Sequence, residues 1–348
     1  MTEVPPGWTP PGQPPPAPGY GPPPAGPWFV PVHKPGVVAL RPLRLGDLYD
    51  GAFQTIRRNP KAMIGLAAGV IALFMVVPAM LSLVLAALGQ LDFGSSLGTE
   101  LSGTGDPAGP LVATAAGYLG AFFGAFATVV LNGMLVHVVA QAVLGRKTTI
   151  AQAWQATKGR LLRLIGLTLV NGVVGTVLLG VPLALGIVVG LTVGTGQGFL
   201  VGVPLFLAAA VLLVFVQVRF FQLAAPVLVL ERIGVFAALG RAGRLSRQQW
   251  WRLFGIMLLT TIVVGLVAQI LGIPFALVGG IGSVAVSGSG GGLLLVFSSY
   301  LSQIVVGAVT TPFTSAVVAL QYVDQRIRKE GLDVQLIAAS QGRPAEMR

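Results

Sequence analysis

The stretch Ala153-Trp154-Gln155-Ala156-Thr157-Lys158-Gly159-Arg160-Leu161-Leu162-Arg163-Leu164-Ile165-Gly166-Leu167 decides how this chain is read, because its pattern occurs three times. Residues 52–66 carry the same opening, Ala52-Phe53-Gln54, and the same close, Ile64-Gly65-Leu66, register for register. A weaker third copy puts Ala242 and Gly255 at the small positions, with Arg247 where Lys158 and Arg57 stand. In each copy a polar, basic segment with helical spacing runs into a long apolar one. The pattern predicts an elbow helix feeding a membrane span, three times over.

Composition places those spans in a bilayer. Of 348 residues 54% are hydrophobic and 9% charged, whereas a soluble domain carries about 25% charge. Several apolar runs exceed the roughly 20 residues that cross a bilayer as a helix. The chain has no cysteine, which excludes disulfides, thiolate metal sites and cysteine nucleophiles.

The net charge of +11 suggests nucleic acid until its placement is read. All 22 Lys and Arg fall in the blocks 34–61, 146–163, 219–252 and 326–348, and the intervals between contain none. The positive-inside rule makes the four blocks cytoplasmic and each interval an out-and-back hairpin. The expected fold is therefore all-α and integral to the membrane, with six transmembrane helices and both termini inside. The charge then faces an anionic leaflet, and nucleic acid is not a partner. The expected spans are about 62–89, 111–143, 161–191, 199–224, 253–278 and 293–322, within a membrane domain of residues 41–325.

Residues 1–40 read as a Pro/Gly-rich cytoplasmic tail, disordered and partly polyproline II, able to recruit a protein partner. It lacks the early basic cluster and apolar core of a signal peptide. A charged cytoplasmic tail, 326–348, closes the chain.

Each elbow has a wet and a greasy side. In the first, Leu45, Leu48, Ala52 and Ile56 recur at helical spacing, with Tyr49 and Phe53 flanking them, which suits a helix in the membrane interface. In the second, Ile150, Trp154 and Leu161 mark the apolar side, and Gln152, Gln155 and Lys158 the wet one. In the third, Arg241, Arg244 and Arg247 share a face, and Trp250-Trp251 marks the interface. Prolines 78, 182 and 274 lie 13, 16 and 19 residues after Gly65, Gly166 and Gly255. Those increments are close to one helical turn, so the kinks keep roughly one face. Two landmarks thus predict three elbow-plus-hairpin repeats, parallel about an axis along the membrane normal.

Arg41-Pro42-Leu43, Gly46-Asp47-Leu48, Asp50-Gly51-Ala52-Phe53 and Arg57-Arg58-Asn59-Pro60 resemble the opening of a bacterial family, the glycerophosphoryl diester phosphodiesterase membrane domain. The run from Tyr322-Val323-Asp324-Gln325-Arg326 to Gly331-Leu332-Asp333 looks like its close. Across residues 40–335 the resemblance implies a six-helix plasma-membrane protein, of an actinobacterial kind. Nothing here matches the phosphodiesterase barrel fused to some members, so no enzyme activity follows.

The candidate chemistry is sparse. Asp47 and Asp50 could share a cation or a proton, but Asp47 better suits the start of the elbow helix. His137, with Asn132 and Gln141 nearby, is either a functional site or an interhelical hydrogen bond. Arg219 either snorkels to the surface or binds a lipid phosphate. Ser298, Ser299 and Ser302 have no base beside them and read as helix contacts. The Gly/Ser-rich residues 279–292 contain no nucleotide motif and read as a flexible external turn. Three hairpins with odd-span prolines resemble mitochondrial carriers. However, Ala79-Met80, Leu183-Ala184 and Phe275-Ala276 stand where that family's gate charges belong.

The expectation is a protein with no catalytic, metal or cofactor site. Its basic elbows meet anionic lipid headgroups through Arg57, Arg58, Lys158, Arg160, Arg219, Arg241, Arg244 and Arg247. The alternative is a permease or exporter of a lipid or small apolar solute, working along the axis between repeats.

Overall fold

The computed structural model describes residues 37–38, 41–87, 108–286 and 289–331, all in the unit Lys34–Arg348. Of the Pro/Gly-rich tail only Val37 and Val38 are described, and both are buried; the rest of it before Arg41, the acidic link with Asp92, Glu100 and Asp106, and residues 332–348 lie outside the described residues. Among those described, all regular structure is helical.

The helices are α1 (Leu45–Arg58), α2 (Leu66–Ala87, entered through a π-turn at Lys61–Gly65) and α3 (Ala108–Val143). Next come α4 (Ile150–Lys158), α5 (Leu161–Thr192) and α6 (Thr195–Val216, leaving through a π-turn at Gln217–Phe221). The chain ends with α7 (Ala224–Glu231), α8 (Val235–Ser246), α9 (Trp250–Ala285) and α10 (Ser289–Glu330). Among the described residues, six stretches are long and apolar enough to cross a membrane: Lys61–Leu85, Phe122–Val143, Leu161–Thr192, Thr195–Glu231, Trp250–Ser283 and Gly290–Glu330. The molecule is a multi-pass helical membrane protein.

The junctions fall where the recurring segment puts them. Helix α1 breaks at Asn59-Pro60, α4 at Gly159-Arg160 and α8 at Arg247–Gln249. Proline ends the first elbow because it cannot donate the backbone hydrogen bond that continues a helix. Well inside a span, packing overrides that penalty: α2, α5 and α9 run on through Pro78, Pro182 and Pro274.

The elbows pack on the spans largely through small residues. The buried residues of α1 are Leu48, Gly51, Ala52 and Thr55, while Leu45 and Phe53 are exposed. In α4 the buried pair is Ala153 and Thr157, and Ile150 and Trp154 point outward. In α8, Ala238, Ala242 and Gly243 go in and Phe236 goes out. Small residues let the elbow backbones approach the spans, and in a membrane the large apolar side chains can face lipid. A Cβ on Gly51 would lie 2.7 Å from Val38 Cγ2 and 2.9 Å from Leu320 Cδ1. One on Gly133 would lie 2.8 Å from Thr157 Cγ2, so α4 is seated directly on α3.

Three aligned positions are buried alike in all three segments: Ala52, Ala153 and Ala242; Met63, Leu164 and Leu253; Leu66, Leu167 and Ile256. By contrast the anchor glycines Gly65 and Gly255 have open space where a Cβ would go. At Gly166 a Cβ would lie 3.4 Å from Val235 Cγ2, so the anchor glycine meets a neighbour in the second segment alone.

Two expected boundaries move. The fourth span begins at Thr195 and its helix is interrupted at Leu223 before α7. Residues 279–292 are not a loose turn, because α9 persists to Ala285 and α10 starts at Ser289. The glycines there bring helices together: a Cβ on Gly291 would stand 2.6 Å from the Ser283 carbonyl oxygen.

Helices α5 and α6 pair closely across glycines, with Gly190 against Gly198 and Gly186 against Gly202. A Cβ on Gly198 would lie 2.6 Å from Gly190 Cα. The hairpin joins the other helices near its basic end, through Leu164 at Gly133 and through Gly166 at Val235. Farther out Leu191, Phe199 and Leu200 are exposed, a surface suited to lipid.

Candidate functional site

A polar layer at the basic end gathers the chain just before the first elbow, the Arg160 end of the second and the Arg252 side of the third. Its centre is Asp324 on α10, whose side chain is 1% exposed. Its Oδ1 accepts from the Leu43 backbone N–H at 2.8 Å and from Arg328 Nε at 2.9 Å, and its Oδ2 is held by Arg252 of α9. Arg252 and Arg328 also donate to the Leu43 carbonyl, at 2.6 and 2.9 Å. Both backbone groups of Leu43 are thereby satisfied, as burial requires. The carboxylate is stable there because two guanidinium groups and an amide replace its water.

A second lattice surrounds Glu231 at the end of α7. It accepts from Arg241 Nε at 3.1 Å and from Tyr322 Oη at 2.8 Å. Arg241 also reaches Glu330, which pairs with Arg326 at 2.9 Å. Burial alone would lower the Arg241 pKa; the hydrogen bond and charge of Glu231, with help from Glu330, outweigh it and raise that pKa. Of the residues named as headgroup candidates, Arg241 is thus committed to two carboxylates of its own chain.

The other candidates have no carboxylate partner among the described residues, and several lie together. Arg160 donates to the Val229 carbonyl, and Arg163 to the Arg232 carbonyl at 3.2 Å. Arg232 closes α7 in the left-handed region, φ 59°, a conformation that costs a non-glycine residue about 1 kcal/mol or more. That twist presents its carbonyl to Arg163. Burial, then the charges of Arg232 and Arg163, lower the Arg160 pKa; among the described residues none of these three cations pairs with a carboxylate. His137 lies near Arg160 and Arg232. The interhelical hydrogen bond weighed for His137 belongs to its neighbour Asn132, which accepts from Ser315 Oγ at 2.6 Å.

A second cationic corner holds Arg219, Arg247 and Lys329, beside the backbone of Arg244, which is itself exposed. The Arg219 guanidinium lies 5.8 Å from the Phe220 ring centroid, a cation–π distance. Lys329 Nζ donates to the Arg244 carbonyl at 2.9 Å, with the charges of Arg219 and Arg247 acting on it. Arg57, Arg58 and Lys158 are exposed at the ends of α1 and α4 and join neither corner.

The two aspartates of the first elbow part ways. Asp47 accepts the Arg44 backbone N–H at 3.0 Å and faces Arg41 at 3.6 Å, while Asp50 is exposed. Asp47 starts the helix, favoured by the positive end of the helix dipole. No cluster of three or more metal-ligating side chains occurs among the described residues.

The Asp324 and Glu231 lattices escape a reading of the sequence alone. Their partners are up to 281 positions apart, and the only visible signal is carboxylates placed beside the basic blocks. Also unexpected is a cavity of about 600 Å³ between α2, α3, α9 and α10, lined in part by Thr128, Gln269, Ser302 and Gln303.

No family model matches the chain, and comparison with curated proteins and with solved structures returns no significant match.

Proposed function

We propose that this is a non-enzymatic plasma-membrane protein that gathers anionic lipid headgroups at its basic end. The observation carrying this reading is that two groups of cations, Arg160/Arg163/Arg232 and Arg219/Arg247/Lys329, gather at the basic end with no carboxylate partner among the described residues. A phosphate can bridge such groups, and each surface cation adds about 1 kcal/mol of attraction to an anionic leaflet. In this reading the basic end is cytoplasmic in a bacterial plasma membrane, with both termini inside. Common burial at the aligned positions of the three segments supports their origin as parallel repeats. Membership of the glycerophosphoryl diester phosphodiesterase membrane domain family rests on the two end motifs. The Pro-rich tail is the proposed site for a protein partner.

Native mass spectrometry from mixed nanodiscs tests the lipid reading. Phosphatidylglycerol or cardiolipin should be retained over phosphatidylcholine, and the preference should fall when Arg160, Arg163 and Arg232 are replaced by Gln together. Equal retention of all lipids, or no change in the triple variant, would overturn it.

The cavity between α2, α3, α9 and α10 favours a second reading, a permease. Solute flux in proteoliposomes is its test, and absence of flux with correctly folded protein removes it.

A further inference from the structure

We propose that this four-helix cavity is a hydrated binding site for a small uncharged solute rich in hydrogen-bonding groups, held by the Gln269 and Gln303 amides. The cavity's volume, about 600 Å³, is in the ordinary range for small-molecule sites. It lies away from the basic layer: Gln269 is roughly 28 Å along α9 from Trp250, at 1.5 Å per residue. Gln269 and Gln303 are both exposed and neither bonds to another described residue. An amide left bare in hydrocarbon costs several kcal/mol, so these two require water or a ligand. Polar side chains placed so within a membrane mark solute sites.

The chemistry of the lining selects the ligand. Every lining residue is uncharged, so an ion would give up hydration without a compensating opposite charge. Two amides offer donors and acceptors alike, the Ser302 and Thr311 hydroxyls add both, and Thr128 already donates to the Gly124 carbonyl at 2.9 Å but can still accept. A polyol or an amide satisfies that set, whereas an apolar solute would strand it. The permease reading bears only on how the site is used.

The natural absence of cysteine gives a direct test. Ala268→Cys and Ala276→Cys, which line the cavity and leave both amides in place, and, as control, Ile270→Cys are made singly in the full chain in nanodiscs, with Ser302→Cys in reserve if an alanine variant aggregates. Cavity cysteines should react with iodoacetamide at least tenfold faster than Ile270→Cys. Their preference for iodoacetamide over charged iodoacetate should exceed that of free cysteine at least fivefold. Sorbitol or urea should slow them at least threefold. Equal slow reaction at all positions, no selectivity against iodoacetate, or no protection by either solute would overturn the proposal. Protection without flux in proteoliposomes would leave the site and remove the permease.

Discussion

The Leu43 backbone amide and the Asp324 carboxylate meet at 2.8 Å, joining the start of the first elbow to the last helix across 281 residues of sequence. Leu43 belongs to the opening motif and Asp324 to the closing one, so the two end signatures occupy one place in space. The contact also draws in Arg252 and Arg328, and the third elbow junction with them.

Replacing Asp324 by Ala should therefore destabilise the protein by about 3 kcal/mol, the usual effect of removing one partner of a buried ion pair. Unfolding in mixed detergent would register the loss. Replacing Arg252 by Gln in the same background should add less than it does alone, because the two changes break one network.

Gly133→Val tests the seat of the second elbow. The new side chain would be driven into Thr157 and Leu164, and overpacking of this kind costs about 1–3 kcal/mol. Hydrogen exchange should quicken in α4 before it does in α9.

Arg241 and Arg247 should separate by phenotype. Arg241→Gln removes one partner each from Glu231 and Glu330, leaving them Tyr322 and Arg326, and should lower stability by roughly 1–3 kcal/mol, leaving lipid retention unchanged. Arg247→Gln should leave stability unchanged and weaken anionic-lipid binding by about 1 kcal/mol, roughly fivefold. Melting curves and native mass spectra of both variants check the contrast.

Gly198→Leu should open the α5–α6 hairpin. The neighbours of its Cβ are Gly190 Cα at 2.6 Å and the Gly186 carbonyl oxygen at 2.8 Å, backbone atoms that cannot rotate away. Faster exchange confined to α5 and α6 is expected, because this hairpin leans little on the rest.

The spans were legible because length and apolarity suffice to identify a helix that must satisfy its own backbone in lipid. The elbows were legible as helices with an apolar side, but the small residues that seat them were not. Ile150 and Trp154 would turn inward in water, and in a membrane they turn outward while Ala153 and Thr157 pack. The glycines at 279–292 read as a turn because composition does not distinguish a loose loop from helices held close. The cationic corners were legible in part: Arg160, Arg219 and Arg247 stood out by position, whereas Arg163, Arg232 and Lys329 join them only through folding. Pairing such as Arg252 with Asp324 leaves no local pattern, since nothing in either neighbourhood names the other.

The central claim is that all the basic elbows lie on one side of the membrane, with an uncharged bundle leading away from them. Single cysteines at Lys147 and Arg244, labelled by an impermeant maleimide in right-side-out and inverted bacterial vesicles, test it most directly. The account predicts labelling at both positions in inverted vesicles only. Labelling of either one from the outside would contradict it.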